Sequence, residues 1–97
     1  MDFPIYNLIL ERGVGVVWIE AEQYQLVGAV LATVRRKANM TQVELARRLG
    51  KPQSMVASIE AGTRRVDLLE FLLISRTLGA DPVELFAEIA RSVAGGG

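Results

Sequence analysis

Neither cysteine nor histidine occurs among the 97 residues. Without cysteine there is no disulfide framework and no thiolate nucleophile, and without histidine the commonest general base and zinc ligand are missing. The aspartates and glutamates mostly stand where helix caps and dipoles use them, which leaves no convergent carboxylate pair and no metal-ligand spacing. The reading is a protein that is not an enzyme and holds no metal or cofactor. No apolar run approaches the ~18 residues that cross a bilayer. Asp2 stands where a secretory leader carries Lys or Arg, so the expectation is a cytoplasmic chain with no membrane partner.

A composition of 51% hydrophobic and 23% charged residues suits a folded chain, and the length allows one compact domain with appendages. The net charge of zero hides an uneven distribution. Residues 1–23 carry Arg12 against Asp2, Glu11, Glu20 and Glu22, a net of −3. Residues 35–65 carry eight cations against Glu44 and Glu60, a net of +6, and the remainder returns to −3. Positive charge confined to the middle third suits a phosphate backbone docking on one face, although a solvated surface gives the same count.

The opening stretch MDFPIYNLILERGVGVVWIE is rich in Ile, Val and aromatic residues around Glu11-Arg12-Gly13, a pattern of two short strands about a turn. A lone hairpin is marginal in water, so it must lie on the rest of the domain or pair with a second copy. Residues 1–22 are therefore read as an N-terminal extension, 23–94 as a helical domain and 95–97 as a flexible glycine tail.

From about Glu22 the period changes to that of an amphipathic helix, with Val27, Val30, Leu31, Val34 and Ala38 on one side. Arg35, Arg36 and Lys37 occupy its last turn, where cations suit the dipole, and Asn39 can take the left-handed conformation that ends it. Thr41-x-x-Glu44 has the spacing of a capping box and opens a second helix to about Leu49. Gly50 breaks that helix, Pro52 starts a third, and Gly62 ends it. Asp67-x-x-Glu70 opens a fourth helix and Asp81-Pro82-x-Glu84 a fifth. The fold class is all-α with five helices, with core candidates that include Leu31, Leu45, Val56, Ile59, Leu68, Phe71 and Phe86.

About three residues with glycine at the bend separate the second and third helices, the connection that sets two helices at roughly 90–120°. Ala46 is small enough for a close crossing, and Val56 with Ile59 can face Leu45 and Leu49. A helix entering the major groove meets base edges with its first turn, and there stands Gln53, whose amide can pair with adenine N6 and N7. Lys51, Thr63, Arg64 and Arg65 flank it as phosphate contacts, which give affinity and salt dependence rather than sequence choice.

The segment TQVELARRLGKPQSMVASIEAGTRR resembles the helix-turn-helix of the Xre/Cro family of phage and bacterial repressors, through TQxELA, the LG turn, QS at the head of the third helix and the IExG ending. The likeness runs from about Val27 to Leu78, and more loosely through the fifth helix. It implies a five-helix lambda-repressor-like DNA-binding domain whose partner is double-stranded DNA. It also implies a transcriptional regulator acting as a homodimer, because one recognition helix reads too few base pairs. By the same resemblance Ser54, Met55 and Ser58 share the exposed, base-contacting face with Gln53. Gln42 touches a phosphate and braces Gln53, and Arg35 with Glu60 forms a structural ion pair between the first and third helices. The chain departs from the family at Ser58, where many relatives carry a basic residue, and in its N-terminal extension. The alternative is a protein-interaction module, such as an antitoxin, that holds a partner protein through Phe3, Ile5, Tyr6, Val17, Trp18 and Ile19.

Overall fold

Side-chain oxygens at Thr41, Asp67 and Asp81 set three helix starts. Thr41 Oγ1 accepts from the Glu44 amide at 3.0 Å and Asp81 Oδ1 from the Val83 amide at 2.9 Å. Asp67 and Glu70 form a reciprocal box, with Asp67 Oδ1 accepting at 2.7 Å and Glu70 Oε1 at 3.1 Å. In a computed structural model that describes residues 18–95, these caps and the turns between them delimit five helices, with no strand among the described residues. They are α1 (Ala21–Lys37), α2 (Gln42–Leu49), α3 (Gln53–Ala61), α4 (Leu68–Thr77) and α5 (Pro82–Ala94). Of the hairpin expected over the first twenty residues, 1–17 lie outside the described residues and 18–20 form no strand, and the end of the glycine tail also lies outside.

Thr41-x-x-Glu44 is only half the box that its spacing predicts. The Glu44 carboxylate does not return to the Thr41 amide. It accepts instead from Arg47 Nη2 and Arg48 Nε, both at 2.7 Å, because two cations one turn along attract a carboxylate more strongly than a neutral amide does. These bonds, Arg47's first among them, lower the Glu44 carboxyl to about 2. At the start of α1 stands a bond that the spacing did not suggest, the Glu20 amide donating to Gln23 Oε1 at 2.8 Å while the Gln23 amide donates to the Glu20 carbonyl at 3.1 Å. Asn39, with φ 58°, takes the left-handed position after α1, and Gly50 and Gly62 do the same after α2 and α3. Replacing Asp67 with Ala should cost about 1 kcal/mol, which thermal unfolding followed by circular dichroism would register as a fall of roughly 4–8 °C.

The helices close around one cluster in which Leu31 of α1, Leu45 and Ala46 of α2, and Val56 and Ile59 of α3 meet Phe71, Ile74, Leu85 and Ile89 of α4 and α5. Two expected core members are elsewhere: Leu68 is 71% exposed and Phe86 58%. LLEFLLIS holds more apolar residues than one helix face can bury, and the inward stripe goes to Phe71, Ile74 and Ser75. Phe86 follows Leu85, which takes the inward position, and its ring stands edge-on to Phe71 with centroids 6.2 Å apart.

Gly28 decides how α1 meets α3. It is buried in mid-helix, and a Cβ built there would overlap the carbonyl oxygens of Ile59 and Glu60. Gly62 makes the same crossing from the other side, since a Cβ on it would lie 2.7 Å from the Gln25 Cα. The missing side chains let the last turn of α3 rest directly on the backbone of α1.

Candidate nucleic-acid interface

That crossing sets the end of α3 against the first half of α1, at Gln25 and Gly28, and leaves the start of α3 open. After Gly50 turns the chain, the Lys51 amide closes α2 by donating to the Ala46 carbonyl at 3.0 Å, and Pro52, with φ −65°, leads into α3. Lys51, Pro52, Gln53 and Ser54 are all exposed, so the first turn of α3 is free of cover by the described chain.

Behind that exposed turn runs a chain of side-chain hydrogen bonds. Gln53 Nε2 donates to Gln42 Oε1 at 2.9 Å, and Gln42 Nε2 donates to Glu60 Oε1 at 2.8 Å. The Glu60 carboxylate also accepts from Arg35 Nε at 2.6 Å and Nη2 at 2.9 Å, while Arg35 Nη1 donates to the Met40 carbonyl at 2.7 Å. The Arg35 and Glu60 side chains are only 9% and 7% exposed. Burial by itself pushes the Glu60 carboxyl up, but the bonds from Arg35 and Gln42 outweigh it and hold the group below the ordinary carboxylate range. The bond to Glu60 in turn raises the Arg35 guanidinium. The pair is a forked, hydrogen-bonded one, the geometry a buried pair needs if it is not to be a net cost.

The segment after α3 holds its cations in different ways. Arg64 spreads its guanidinium over the Glu70 carboxylate at 2.9 and 3.2 Å and over the Arg65 carbonyl at 2.9 Å. The Arg64 bond is the main reason the Glu70 carboxyl falls to about 2, and Lys51 is near enough to act on the same group. Arg64 therefore ties this segment to the first turn of α4, with only part of its charge facing outward. Arg65 is exposed, with its guanidinium 5.4 Å from the centre of the Tyr24 ring. Thr63 is exposed too, and its hydroxyl donates to the Ser58 carbonyl at 3.2 Å.

Two residues grouped with Gln53 on one exposed face are differently placed. Met55 is half-buried and packs against the core, because it lies one position before Val56 and four before Ile59, on the side that turns inward. Ser58 is also half-buried, with its carbonyl engaged by the amides of Thr63 and Arg64. Trp18 and Ile19 are 69% and 41% exposed, while Phe3, Ile5, Tyr6 and Val17 lie outside the described residues. Neither Gly28 nor the Gln42–Glu60 bond was anticipated. A glycine inside an apolar helical stripe was the available signal for the first, and no local spacing signals the second.

Leu68, Leu69 and Leu73 of α4 and Val83 and Phe86 of α5 are each more than half exposed. Among the described residues no helix is long and apolar enough to cross a membrane.

The model of a helix-turn-helix family matches residues 31–85, from the middle of α1 into α5. An uncharacterized HTH-type transcriptional regulator, y4dJ of Sinorhizobium fredii (strain NBRC 101917 / NGR234), is 34% identical over 61 residues, 63% of this chain and 79% of that protein. An XRE-family like protein from Pseudomonas syringae pv. tomato str. DC3000 has a solved structure that aligns with a TM-score of 0.64 and 41% identity, over 70% of this chain and 83% of that one. With α2 and α3 set about the Gly50 bend inside the matched region, the chain belongs to the Xre-type helix-turn-helix family of DNA-binding proteins.

Proposed function

We propose that this protein is a sequence-specific transcriptional regulator that places the first turn of α3 in the major groove and acts as a dimer on two half-sites. The observation that carries this reading is the open tip of α3, where Gln53 is exposed yet held at 2.9 Å by Gln42. An amide held in this way can meet a base edge with little further loss of side-chain freedom, and Ser54 beside it can contact either base type. Gln42, Lys51, Thr63 and Arg65 serve the phosphates on either side, with Arg64 contributing what its bond to Glu70 leaves available. Ser58 and Met55, half-buried, stand at the margin of the base-reading face.

Dimerisation follows from the small number of base pairs that one helix reads, with half-sites about one helical turn, ~34 Å, apart. The exposed leucines of α4 with Val83 and Phe86 supply an apolar face suited to a second copy. Binding to the DNA upstream of the protein's own gene, measured over a salt series, tests the reading. Gln53→Ala should lower specific affinity by about 1–3 kcal/mol while leaving non-specific binding unchanged. Lys51→Ala should weaken all sequences alike and reduce the salt slope by about one. A complex with neither sequence preference nor salt dependence refutes the proposal. A second reading, a module that grips a partner protein, is supported by the exposure of Trp18.

A further inference from the structure

Gln53 by itself is an ambiguous reader. Its carboxamide has two N–H donors and a carbonyl acceptor, so it can offer a donor and an acceptor together, or two donors. Adenine presents N7 as an acceptor and its N6 amino group as a donor in the major groove, whereas guanine presents two acceptors, N7 and O6. Which pattern Gln53 offers depends on what the rest of the chain takes from it.

The geometry points to Glu60, which lies behind the exposed tip of α3, as the residue that commits Gln53 to adenine by fixing the direction of the Glu60–Gln42–Gln53 hydrogen bonds. This inference rests on the DNA-binding reading above. A carboxylate only accepts, so the Gln42 atom turned to Glu60 Oε1 at 2.8 Å has to be Nε2. Gln42 then turns its carbonyl oxygen to Gln53, and Gln53 has to answer with an N–H at 2.9 Å. One of its two donors is thereby used. What remains is one N–H and one carbonyl oxygen, the complement of adenine and a mismatch for the paired acceptors of guanine. The direction of the chain cannot reverse while Glu60 is ionised, and Arg35 keeps it ionised through two bonds of its own. Glu60 is in this sense a positioning residue that selects a base across two intervening amides.

The test uses the full chain and DNA duplexes carrying its selected operator, with each of the four bases in turn at the position whose preference Gln53→Ala removes. Gln42→Met cuts the chain of bonds but keeps the Arg35–Glu60 pair, so it should leave the unfolding midpoint close to that of the parent. Its preference for adenine over guanine at that position should fall on the order of tenfold, the size of one bidentate contact. Loss of the Gln42 phosphate contact should lower affinity for every sequence alike, while preferences at other positions stay as they were and the salt slope, which counts charged contacts, is unchanged. Glu60→Gln, which can donate as well as accept, should give the same loss of preference together with a lower unfolding midpoint.

A uniform loss of affinity in Gln42→Met with adenine still preferred overturns the inference and leaves the DNA-binding reading intact. So does a parent protein that prefers guanine at this position. If Gln53→Ala changes preference nowhere, the placement of Gln53 against a base fails and the inference fails with it.

Discussion

Gly28→Ala lowers the unfolding midpoint by about 10 °C or more, equivalent to a net loss of about 2–3 kcal/mol. Alanine is the better helix former by about 1 kcal/mol, so on propensity alone the substitution would stabilise the protein. The added methyl overlaps the backbone oxygens of Ile59 and Glu60, which cannot rotate away as the end of a side chain can. Either α1 moves off the last turn of α3 or the turn distorts, and both loosen the contact that carries Arg35 to Glu60. Ala29, the next residue, is exposed, and Ala29→Gly should show the ordinary propensity loss of about 1 kcal/mol. Thermal unfolding of the two variants side by side makes the comparison. A Gly28→Ala protein as stable as the parent would mean that α1 and α3 do not approach this closely.

The second large effect belongs to Glu60→Ala. It strands the Arg35 guanidinium, on a residue only 7% exposed, without the carboxylate that takes two of its donors. Breaking one side of a buried pair costs about 3–5 kcal/mol, a fall of roughly 12 °C or more for a domain of this size. Replacing both partners, Arg35→Met with Glu60→Leu, should recover much of that loss, since no buried charge is then left alone. The pH dependence has a definite sign. Glu60 has a lower carboxyl pKa when folded than when unfolded, so its stabilisation is complete above the ordinary value of 4.5 and is lost as pH falls through the depressed folded value. Glu44 and Glu70, lowered to about 2, follow the same direction, but their partners are solvent-exposed and their share is small. Unfolding midpoints measured from pH 7 down to about 2 should therefore fall steeply below ~4.5 in the parent and less steeply in Glu60→Ala. Parallel curves for the two proteins would remove Glu60 from the acid transition.

Helix starts and stops were legible because their causes are local. Asp67 and Glu70 stand three residues apart, and a left-handed turn at Asn39 or Gly50 depends on that residue alone. Local spacing failed where two local partners competed, as at Glu44, which chose Arg47 and Arg48 over the Thr41 amide. It failed again where apolar residues outnumbered the buried positions, as at Leu68 and Phe86. The ends of the polar chain, Arg35–Glu60 and Gln42–Gln53, were legible only through family likeness. The bond joining them was not, because its partners lie 18 residues apart.

The amino-acid order alone determined that cysteine and histidine are absent from these 97 residues, that five helices form among the described residues, and that a glutamine heads the third of them. These follow from side-chain inventory and from contacts within a few residues. Only the tertiary structure decided that Gly28 is a contact surface, that Leu68 and Phe86 face outward, and that Glu60 reaches Gln53 through Gln42. Each of these depends on how the five described helices pack against one another, an arrangement set by all the side chains between them together and by no short stretch of sequence.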